Sequence, residues 1–291
     1  MTDKKPVVVG IGELLWDLLP DGKRAGGAPV NFVYHATQLG AEGYAISAVG
    51  DDVNGIEILR ELERVKIRKI ISRCPFPTGT VEVVLENGLP RYTIVENTAW
   101  DNIPLSEEAR AVVRRADAVC YGTLALRSEK SRQTIKTLLA EVPERAYKFF
   151  DVNLRGSYYS RELIGELLAK ANVFKINDEE IKTVRELFDL RGSDEDACRE
   201  LLQKYRLRYL IFTAGEKYST VYSPDEESSL ETPRVKAVDT VGAGDAFSGA
   251  FIYSLLTGKS LQEAHRKAAE VAAFVVTQPG AWPDYGKIFS E

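Results

Sequence analysis

The chain has 291 residues, 44% of them hydrophobic and 28% charged, which suits one large soluble α/β domain or such a domain with an appendage. Its net charge of −5, with no block of like charge, argues against a nucleic acid or an anionic membrane as the main partner. Three widely spaced cysteines and two histidines argue against a structural zinc site or a disulfide framework, and no apolar run suits a signal peptide or a membrane span. These features are typical of a cytoplasmic protein.

Short β-rich runs alternate with amphipathic helical patterns through most of the chain. Strands are predicted at residues 7–12, 44–49, 118–121, 148–152, 172–176 and 208–213. Helices are predicted at residues 29–39, 56–65, 131–139, 161–171 and 179–188. Repeated βαβ units of this kind predict a mostly parallel central sheet that helices cover on both faces, in a three-layer α/β/α fold.

Two stretches interrupt this alternation. Residues 14–24 form a short strand-like piece that ends in the turn signal Pro20-Asp21-Gly22, and residues 78–95 hold two β-runs joined around Asn87-Gly88. No helix separates those two runs, so we predict a small projecting antiparallel sheet, which is a candidate lid and a candidate homodimer surface. The predicted division is an α/β domain of residues 1–13, 26–76 and 100–291 and a lid of residues 14–25 and 77–99.

Near the C-terminus, Gly242, Ala243 and Gly244 stand directly before Asp245, and a helical pattern begins at Ala246. The free N–H groups and the dipole at such a helix start attract an anion. A carboxylate in the same turn makes sense if it takes a proton while the amides hold negative charge, as phosphoryl transfer to a hydroxyl requires. The alternative is a glycine-rich helix cap in which Asp245 is an ordinary first-turn acid.

A second glycine-rich segment, Gly26-Gly27-Ala28-Pro29-Val30-Asn31, lies between a turn and a predicted helix. Its glycines let a ligand approach the backbone closely, and Asn31 offers a donor and an acceptor that suit neighbouring sugar hydroxyls. Asp17, past the first strand, can accept two hydroxyl protons. The alternatives are a solvated helix position for Asn31 and a loop acid for Asp17.

Polar residues also follow a central strand. Asp151, Asn153 and Arg155 end the strand predicted at residues 148–152, and alternation places all three on one side. Ligands of open α/β sheets bind at the carboxyl ends of the strands, where Arg155 suits an anionic phosphate.

The next two strands end in the same manner. Asn177 and Glu180, one helical turn apart, suit a hydrated Mg²⁺, and the alternative is a capping box that uses the same two residues. Thr213-Ala214-Gly215 either lies under nucleotide phosphates or simply turns the chain.

These motifs, in this order, resemble the ribokinase-like (PfkB) family of carbohydrate kinases, and within it the fructokinases. Residues 239–247 match the pattern D-T-x-G-A-G-D-x-F, and residues 26–31 match the Gly-Gly-Ala-Pro-x-Asn of fructokinase-like members. The likeness covers nearly the whole chain, and the C-terminal pattern is highly specific. It implies a ribokinase-like fold with a β-sheet lid, and ATP-dependent phosphorylation of a primary hydroxyl on a sugar.

The resemblance also implies a role for each matching position. Asp245 would be the catalytic base, with the amides of Gly242, Ala243 and Gly244 as the anion hole. The sugar would be bound by Asp17, Gly27, Asn31 and Arg155. ATP would be bound by Asn177, Thr213, Gly215 and Gly244, and Mg²⁺ by Asn177 and Glu180. A monovalent cation such as K⁺ would be held by Asp239, Val241, Val275 and Gly280.

The resemblance makes D-fructose, converted to fructose 6-phosphate, the first choice of substrate. The second enzyme hypothesis is a 2-keto-3-deoxygluconate kinase, which shares the Asp-x-Asn-x-Arg pattern, although Glu96 near the lid would disfavour a carboxylate substrate if it faced the site. A hypothesis of another class is a catalytically idle sugar-binding or regulatory protein. Tyr218 stands where the family's T-x-G-x-x-G pattern often has its last glycine. Residues 265–278 lack the asparagine that many members place near the adenine, so the resemblance does not fix which nucleotide base is bound.

Overall fold

The computed structural model describes residues 4–19, 22–86, 89–286 and 288–289, with the backbone alone at 83–86 and 89–92. In chain order its strands are β1 (Val7–Ile11), β2 (Leu15–Leu19), β3 (Gly22–Gly26), β4 (Glu42–Gly50), β5 (Arg68–Cys74), β6 (Gly79–Glu86), β7 (Leu89–Ile94), β8 (Ala118–Tyr121), β9 (Tyr147–Asp151), β10 (Val173–Asn177), β11 (Tyr209–Thr213), β12 (Tyr218–Tyr222) and β13 (Glu227–Glu231). Its α-helices are α1 (Ala28–Gln38), α2 (Val53–Arg64), α3 (Glu107–Val113), α4 (Glu129–Glu141), α5 (Arg161–Leu168), α6 (Glu180–Phe188), α7 (Asp194–Lys204), α8 (Ala243–Leu256) and α9 (Leu261–Val276). Within these ranges, every helix is too short or too polar to cross a bilayer.

The large sheet has the strand order β13-β12-β11-β10-β9-β8-β1-β4-β5. All neighbouring pairs from β11 to β5 are parallel, whereas β12 and β13 are antiparallel and form one edge. The predicted three-layer α/β/α fold with a mostly parallel central sheet is therefore confirmed. The carboxyl ends of the parallel strands lie along one edge of the sheet, which is where ligands bind in open sheets of this kind.

Side chains that alternate along β1 face two different hydrophobic cores, one on each side of the sheet. Val7, Val9 and Ile11 face the core beneath α3, α4, α5, α6 and α7. Val8 faces the opposite core beneath α1, α2, α8 and α9. Because β1 is buried on both faces, its apolar run is continuous rather than alternating, as the parallel strands of a covered sheet require.

Helices α1 and α8 touch closely at Gly249. A Cβ at this position would lie only 2.6 Å from the backbone oxygen of Phe32, so a side chain there would push the two helices apart. Asn31 directly precedes Phe32, and Asp245 lies one helical turn before Gly249. The close packing therefore brings these two polar side chains together.

The second sheet has the order β3-β2-β6-β7. The β6–β7 pair is antiparallel, so the predicted antiparallel pairing of these two runs is confirmed, and β2–β3 is antiparallel as well. The central β2–β6 pair, for which the sequence made no prediction, is parallel. The reason is topological, because the chain passes through α1, β4, α2 and β5 before it returns to the sheet in the same direction. Residues 20–21 and 87–88 of the two predicted turns lie outside the described residues.

Candidate active site

A tight glycine turn precedes α8, as predicted. Gly242 is the N-cap of the helix and has a φ of 78°, which favours glycine. A Cβ on Gly242 would lie 2.7 Å from the Cβ of Ala281, so the turn is packed against the C-terminal segment. The Ala243 N–H donates to the Thr240 carbonyl across a long 3.3 Å, and an anion would replace that bond. The turn thus offers the amide groups and helix dipole that bind anions.

The Asp245 carboxylate is bonded to another helix. Its Oδ2 accepts a hydrogen bond from Asn31 Nδ2 at 2.8 Å, and Asn31 Oδ1 accepts from Trp282 Nε1 at 2.7 Å. Because an indole nitrogen only donates, Trp282 holds the Asn31 oxygen on its own side and turns the NH₂ group toward Asp245. Gly242 caps α8 and Asp245 stands in its first turn, as the capping alternative also requires, but the Asp245 carboxylate is bonded to Asn31 of another helix.

The partly exposed Asp245 carboxylate has an unusual proton affinity. Burial raises its pKa to about 7, and the negative charge of Asp151 adds to the rise. The hydrogen bond from Asn31 and the positive charges of Lys175 and Arg155 act in the opposite direction. A general base works best when its pKa lies near the working pH, so this carboxyl group is suited to accept a proton at neutral pH.

A buried ion pair lies beneath the glycine turn, and no motif of the sequence predicts it. Lys175 Nζ lies 2.8 Å from Asp151 Oδ2, with both side chains 7% exposed. A Cβ on Gly244 would lie 3.2 Å from the same Nζ, which places the ammonium group directly against the turn. Burial alone would lower the Lys175 pKa, but Asp151, Glu180 and Asp245 together hold it above its usual value. A lysine inside the otherwise apolar β10 was the signal in the sequence.

Three carboxyl groups share one guanidinium near the end of β1. The exposed Arg155 interacts electrostatically with Glu13, Asp17 and Asp245. Burial raises the pKa of Glu13 to about 7 and that of Asp17 to about 6. Glu13 is 3% exposed, and its Oε2 has no hydrogen-bond partner among the described residues. A ligand hydroxyl would satisfy this oxygen, so Glu13 joins the candidates although sequence reasoning gave it no role.

Gly27 lies at the same place, as the N-cap of α1. Its carbonyl accepts the N–H groups of Val30 at 3.0 Å and Asn31 at 2.8 Å, and these bonds begin the helix that carries Asn31. The structure therefore brings Gly27, Asn31 and Asp17 to one end of the sheet. These positions agree with the predicted sugar side of the site, and their roles remain proposals.

The prediction that Asp151, Asn153 and Arg155 share one strand face is wrong. Strand β9 ends at Asp151, and Asn153 takes a left-handed φ of 38°, so alternation does not continue beyond the strand. Asp151 is buried against Lys175, whereas Arg155 is exposed. Asp151 and Arg155 nevertheless both act electrostatically on the Asp245 carboxyl group.

Asn177 and Thr213 lie opposite each other in the β10–β11 register. Asn177 Oδ1 accepts the N–H groups of Glu179 at 3.0 Å and Glu180 at 2.8 Å. In return, the two carboxylate oxygens of Glu180 accept the N–H groups of Asn177 and Leu154, both at 3.0 Å. The capping alternative is thus realised in the structure.

The same carboxylate also has the chemistry that Mg²⁺ requires. Each oxygen of Glu180 keeps a lone pair beyond its backbone donor, and Mg²⁺ prefers oxygen ligands and retains several waters. The Asn177 oxygen already accepts two bonds, so its NH₂ group is the part suited to a phosphate oxygen. The Asn177–Glu180 pair therefore fits a hydrated cation, which the Glu180 carboxylate would hold.

The four positions implied for a monovalent cation do not fit one. The Asp239 carboxylate accepts N–H groups from Val241 at 3.0 Å and Gly280 at 2.9 Å, and the Arg24 guanidinium at 2.8 Å. The Val275 carbonyl accepts the Gln278 N–H at 2.9 Å. A bound cation needs converging oxygen atoms, whereas two of these positions point N–H groups at the carboxylate.

A mostly parallel sheet with a carboxylate beside a glycine-rich helix start at its carboxyl edge suits the transfer of a phosphoryl group to a small molecule. Residues 21–285 match the family described as pfkB family carbohydrate kinase. This match covers most of the chain, so the protein belongs to that family and is a carbohydrate kinase.

Relatives agree with this assignment, and a solved structure agrees with the fold. The chain is 28% identical to an uncharacterized sugar kinase of Pyrococcus horikoshii, across 95% of this chain and 92% of the relative. It is 28% identical to a probable fructokinase-5 of Arabidopsis thaliana, across 96% and 94% of the two chains. The crystal structure of a fructokinase from Xylella fastidiosa superposes with a TM-score of 0.86 over 96% of this chain and 94% of that one; at 20% identity it supports the fold alone.

Proposed function

We propose that this protein phosphorylates a primary hydroxyl of a neutral sugar with ATP, and that D-fructose, converted to fructose 6-phosphate, is the first choice. The observation that carries the proposal is the Asp245 carboxylate, held by Asn31 beside the amides of the glycine turn, with a pKa of about 7. The relative from Arabidopsis thaliana bears the name fructokinase, which supports the choice of sugar.

The chemistry follows from these groups. Asp245 removes the proton of the sugar hydroxyl while the hydroxyl oxygen bonds to the γ-phosphorus of ATP. The bond between the γ-phosphorus and the bridging oxygen of the β-phosphate breaks, and ADP leaves. The amides of Gly242, Ala243 and Gly244 hold the charge that develops on the transferring group. The Lys175 ammonium beneath the turn adds positive charge at the same place. Because these groups are held by packing, they need little rearrangement during the reaction.

The charges around the sugar side favour a neutral substrate. Glu13, Asp17 and Asp245 all interact with the Arg155 guanidinium, so its positive charge is already shared among three carboxyl groups. A sugar acid would add a fourth carboxylate, whereas a neutral sugar offers hydroxyls that these groups and Asn31 can bind. The specific observation in favour of 2-keto-3-deoxygluconate is Arg155 itself, because an exposed guanidinium can pair with a carboxylate.

The nucleotide side lies at the ends of β10 and β11. Asn177, Thr213, Gly215 and Gly244 would contact ATP. Glu180 would hold the waters of Mg²⁺, which supplies charge neutralisation on the phosphates when it is bound. The segment between Gly215 and the glycine turn exposes three apolar side chains that suit the flat face of a nucleobase: Val235, Val238 and Val241.

The second sheet is proposed to act as a lid over the sugar. Asp17 lies on β2, and Arg24 lies opposite it on β3. The sheet thus contributes residues to the sugar side and, through Arg24, also contacts Asp239 next to the glycine turn. Closure over a bound sugar would exclude water from the transferring phosphoryl group.

A substrate panel tests the proposal. ADP release is measured with purified protein, ATP and Mg²⁺ against D-fructose, D-glucose, D-ribose, 2-keto-3-deoxygluconate and a no-sugar control, and the product is identified by phosphorus NMR. The highest kcat/KM is expected for D-fructose with a phosphate on O6. Preference for 2-keto-3-deoxygluconate would establish the alternative. Sugar binding in calorimetry without turnover of any sugar would instead identify an idle binding protein.

The pH profile is expected to report the Asp245 carboxyl group. Log kcat/KM should rise with pH and level off near pH 7, because the base must be ionised. Asn31→Ala removes a hydrogen bond to the carboxylate, which is worth about 1.5–3 kcal/mol, so the rising limb should move up by about 1–2 pH units. The profile is measured on kcat as well, to separate the base from sugar affinity.

Trp282→Phe is the matched control for this shift. It removes the indole donor to Asn31 but leaves the Asn31–Asp245 bond available, so its profile should move less than that of Asn31→Ala. A rising limb that stays in place in Asn31→Ala would show that another group titrates.

A further inference from the structure

An ion pair joins the second sheet to the segment before the glycine turn. Arg24 Nη1 lies 2.8 Å from Asp239 Oδ2, with side-chain exposures of 34% and 17%. The two residues are 215 positions apart in sequence, so only the folded chain brings them together. A second carboxyl group, Asp17, lies opposite Arg24 in the β2–β3 register.

The contact lies next to the anion-binding turn. Asp239 holds the Val241 N–H at 3.0 Å, and Val241 directly precedes Gly242. Asp239 also holds the Gly280 N–H at 2.9 Å, and Ala281, the next residue, packs against Gly242. The Asp239 carboxylate therefore connects both chain segments that shape the turn, and the positive charge opposite it affects how firmly they are held.

The donors around Asp239 leave little capacity for a metal ion. A carboxylate has about four lone-pair positions, and Arg24, Val241 and Gly280 each direct an N–H group at one. A guanidinium is permanently charged and donates in a fixed, planar geometry, so it neutralises the carboxylate without any ion from solution. A K⁺ ion at the same carboxylate would also be repelled by the guanidinium charge.

We propose that the Arg24 guanidinium neutralises the Asp239 carboxylate in place of a bound monovalent cation. The glycine turn of this kinase is then held by the second sheet and not by K⁺. Arg24 is thus a positioning residue that acts on the turn through Asp239. The inference rests on the proposed kinase reaction. It makes two claims about this chain: turnover is independent of K⁺, and removal of Arg24 opens a site that K⁺ can fill.

The test compares potassium chloride with choline chloride, both at 100 mM, in a buffer free of other monovalent metal ions, at saturating ATP and sugar. We expect wild-type kcat to change less than about twofold between the two salts. Arg24→Ala should lose about tenfold or more of kcat in choline and regain most of it in potassium. Arg24→Lys, which keeps a positive charge, should stay insensitive to potassium.

Lys23→Ala is the matched control. Lys23 neighbours Arg24 on β3, but its ammonium contacts Asn54 and Glu57 in α2 instead of Asp239. This variant should respond to the two salts as the wild type does. A potassium response in Lys23→Ala equal to that of Arg24→Ala would overturn the assignment to Arg24.

Thermal unfolding supplies a second measurement that needs no turnover. The Tm of Arg24→Ala should be higher in potassium than in choline, while the wild-type Tm should be equal in both. Wild-type activation by potassium of tenfold or more, or an Arg24→Ala variant that matches the wild type in choline, would overturn the proposal. Absence of wild-type turnover with every sugar would count against the proposed reaction, and the thermal data would still decide whether Arg24 excludes K⁺.

Discussion

Asp245→Asn is expected to lower kcat for the best sugar by about 10²–10⁴-fold, the usual contribution of a general base. The amide keeps the size of the side chain and the contact with Asn31, but it cannot accept the hydroxyl proton. Steady-state kinetics at pH 8, where the wild-type carboxyl group is mostly ionised, measure this loss most directly. KM for the sugar should change far less than kcat, because the lost interaction belongs to the transition state.

Stability separates a chemical effect of Asp245→Asn from a folding defect. The folded pKa of Asp245, about 7, lies above the value of 3.8 for an unperturbed aspartate, so the folded state binds this proton more tightly than the unfolded chain does. Ionisation at pH 8 therefore costs stability, and the neutral variant should unfold at an equal or higher temperature. Asp225→Asn, in the exposed loop after β12, is the control and should keep wild-type kcat. Retention of kcat within tenfold in Asp245→Asn would remove Asp245 from the role of base.

Lys175→Met is expected to lower the free energy of unfolding by about 3–5 kcal/mol, the usual effect of removing one partner of a buried ion pair. The change leaves the 5% exposed Asp151 without its cation and next to Asp245. The pKa of Asp245 should rise as well, because Lys175 is one of the charges that lower it. Urea unfolding followed by circular dichroism measures the first effect, and the pH dependence of kcat measures the second.

Lys182→Met is the matched control for this prediction. Lys182 pairs with Glu179 at 2.8 Å on the exposed surface of α6, so its loss should leave the urea midpoint close to that of the wild type. The double variant Asp151→Asn/Lys175→Met removes both charges and should recover part of the lost stability. Equal urea midpoints for Lys175→Met and Lys182→Met would contradict the importance of the buried pair.

Much of the fold was predictable because its signals are local. Strands buried on both faces read as short apolar runs, such as Val7–Ile11, and amphipathic patterns mark the helices between them. The edge strand Glu227–Glu231 was missed because its residues are mostly polar and partly exposed, so no apolar pattern identifies it. The pattern of residues 14–24 indicates one strand-like piece, whereas the structure has two paired strands, Leu15–Leu19 and Gly22–Gly26, since pairing depends on contacts that the pattern does not contain.

The sequence by itself determined the glycine turn, the helix that follows it and the presence of Asp245 in the first turn, since all three depend on neighbours along the chain. Only the tertiary structure decided what surrounds that carboxylate. Asn31 precedes Asp245 by 214 positions, and Trp282, which bonds to Asn31, follows that residue by 251 positions. Burial and the charges of Asp151, Lys175 and Arg155 help to set the Asp245 pKa. Asp151 and Lys175 lie on strands that become neighbours only in the folded sheet, and Arg155 follows β9 in the chain. The pairing of Arg24 with Asp239 is likewise tertiary, because proton affinity and ion pairing depend on distance in space, which the order of residues does not specify.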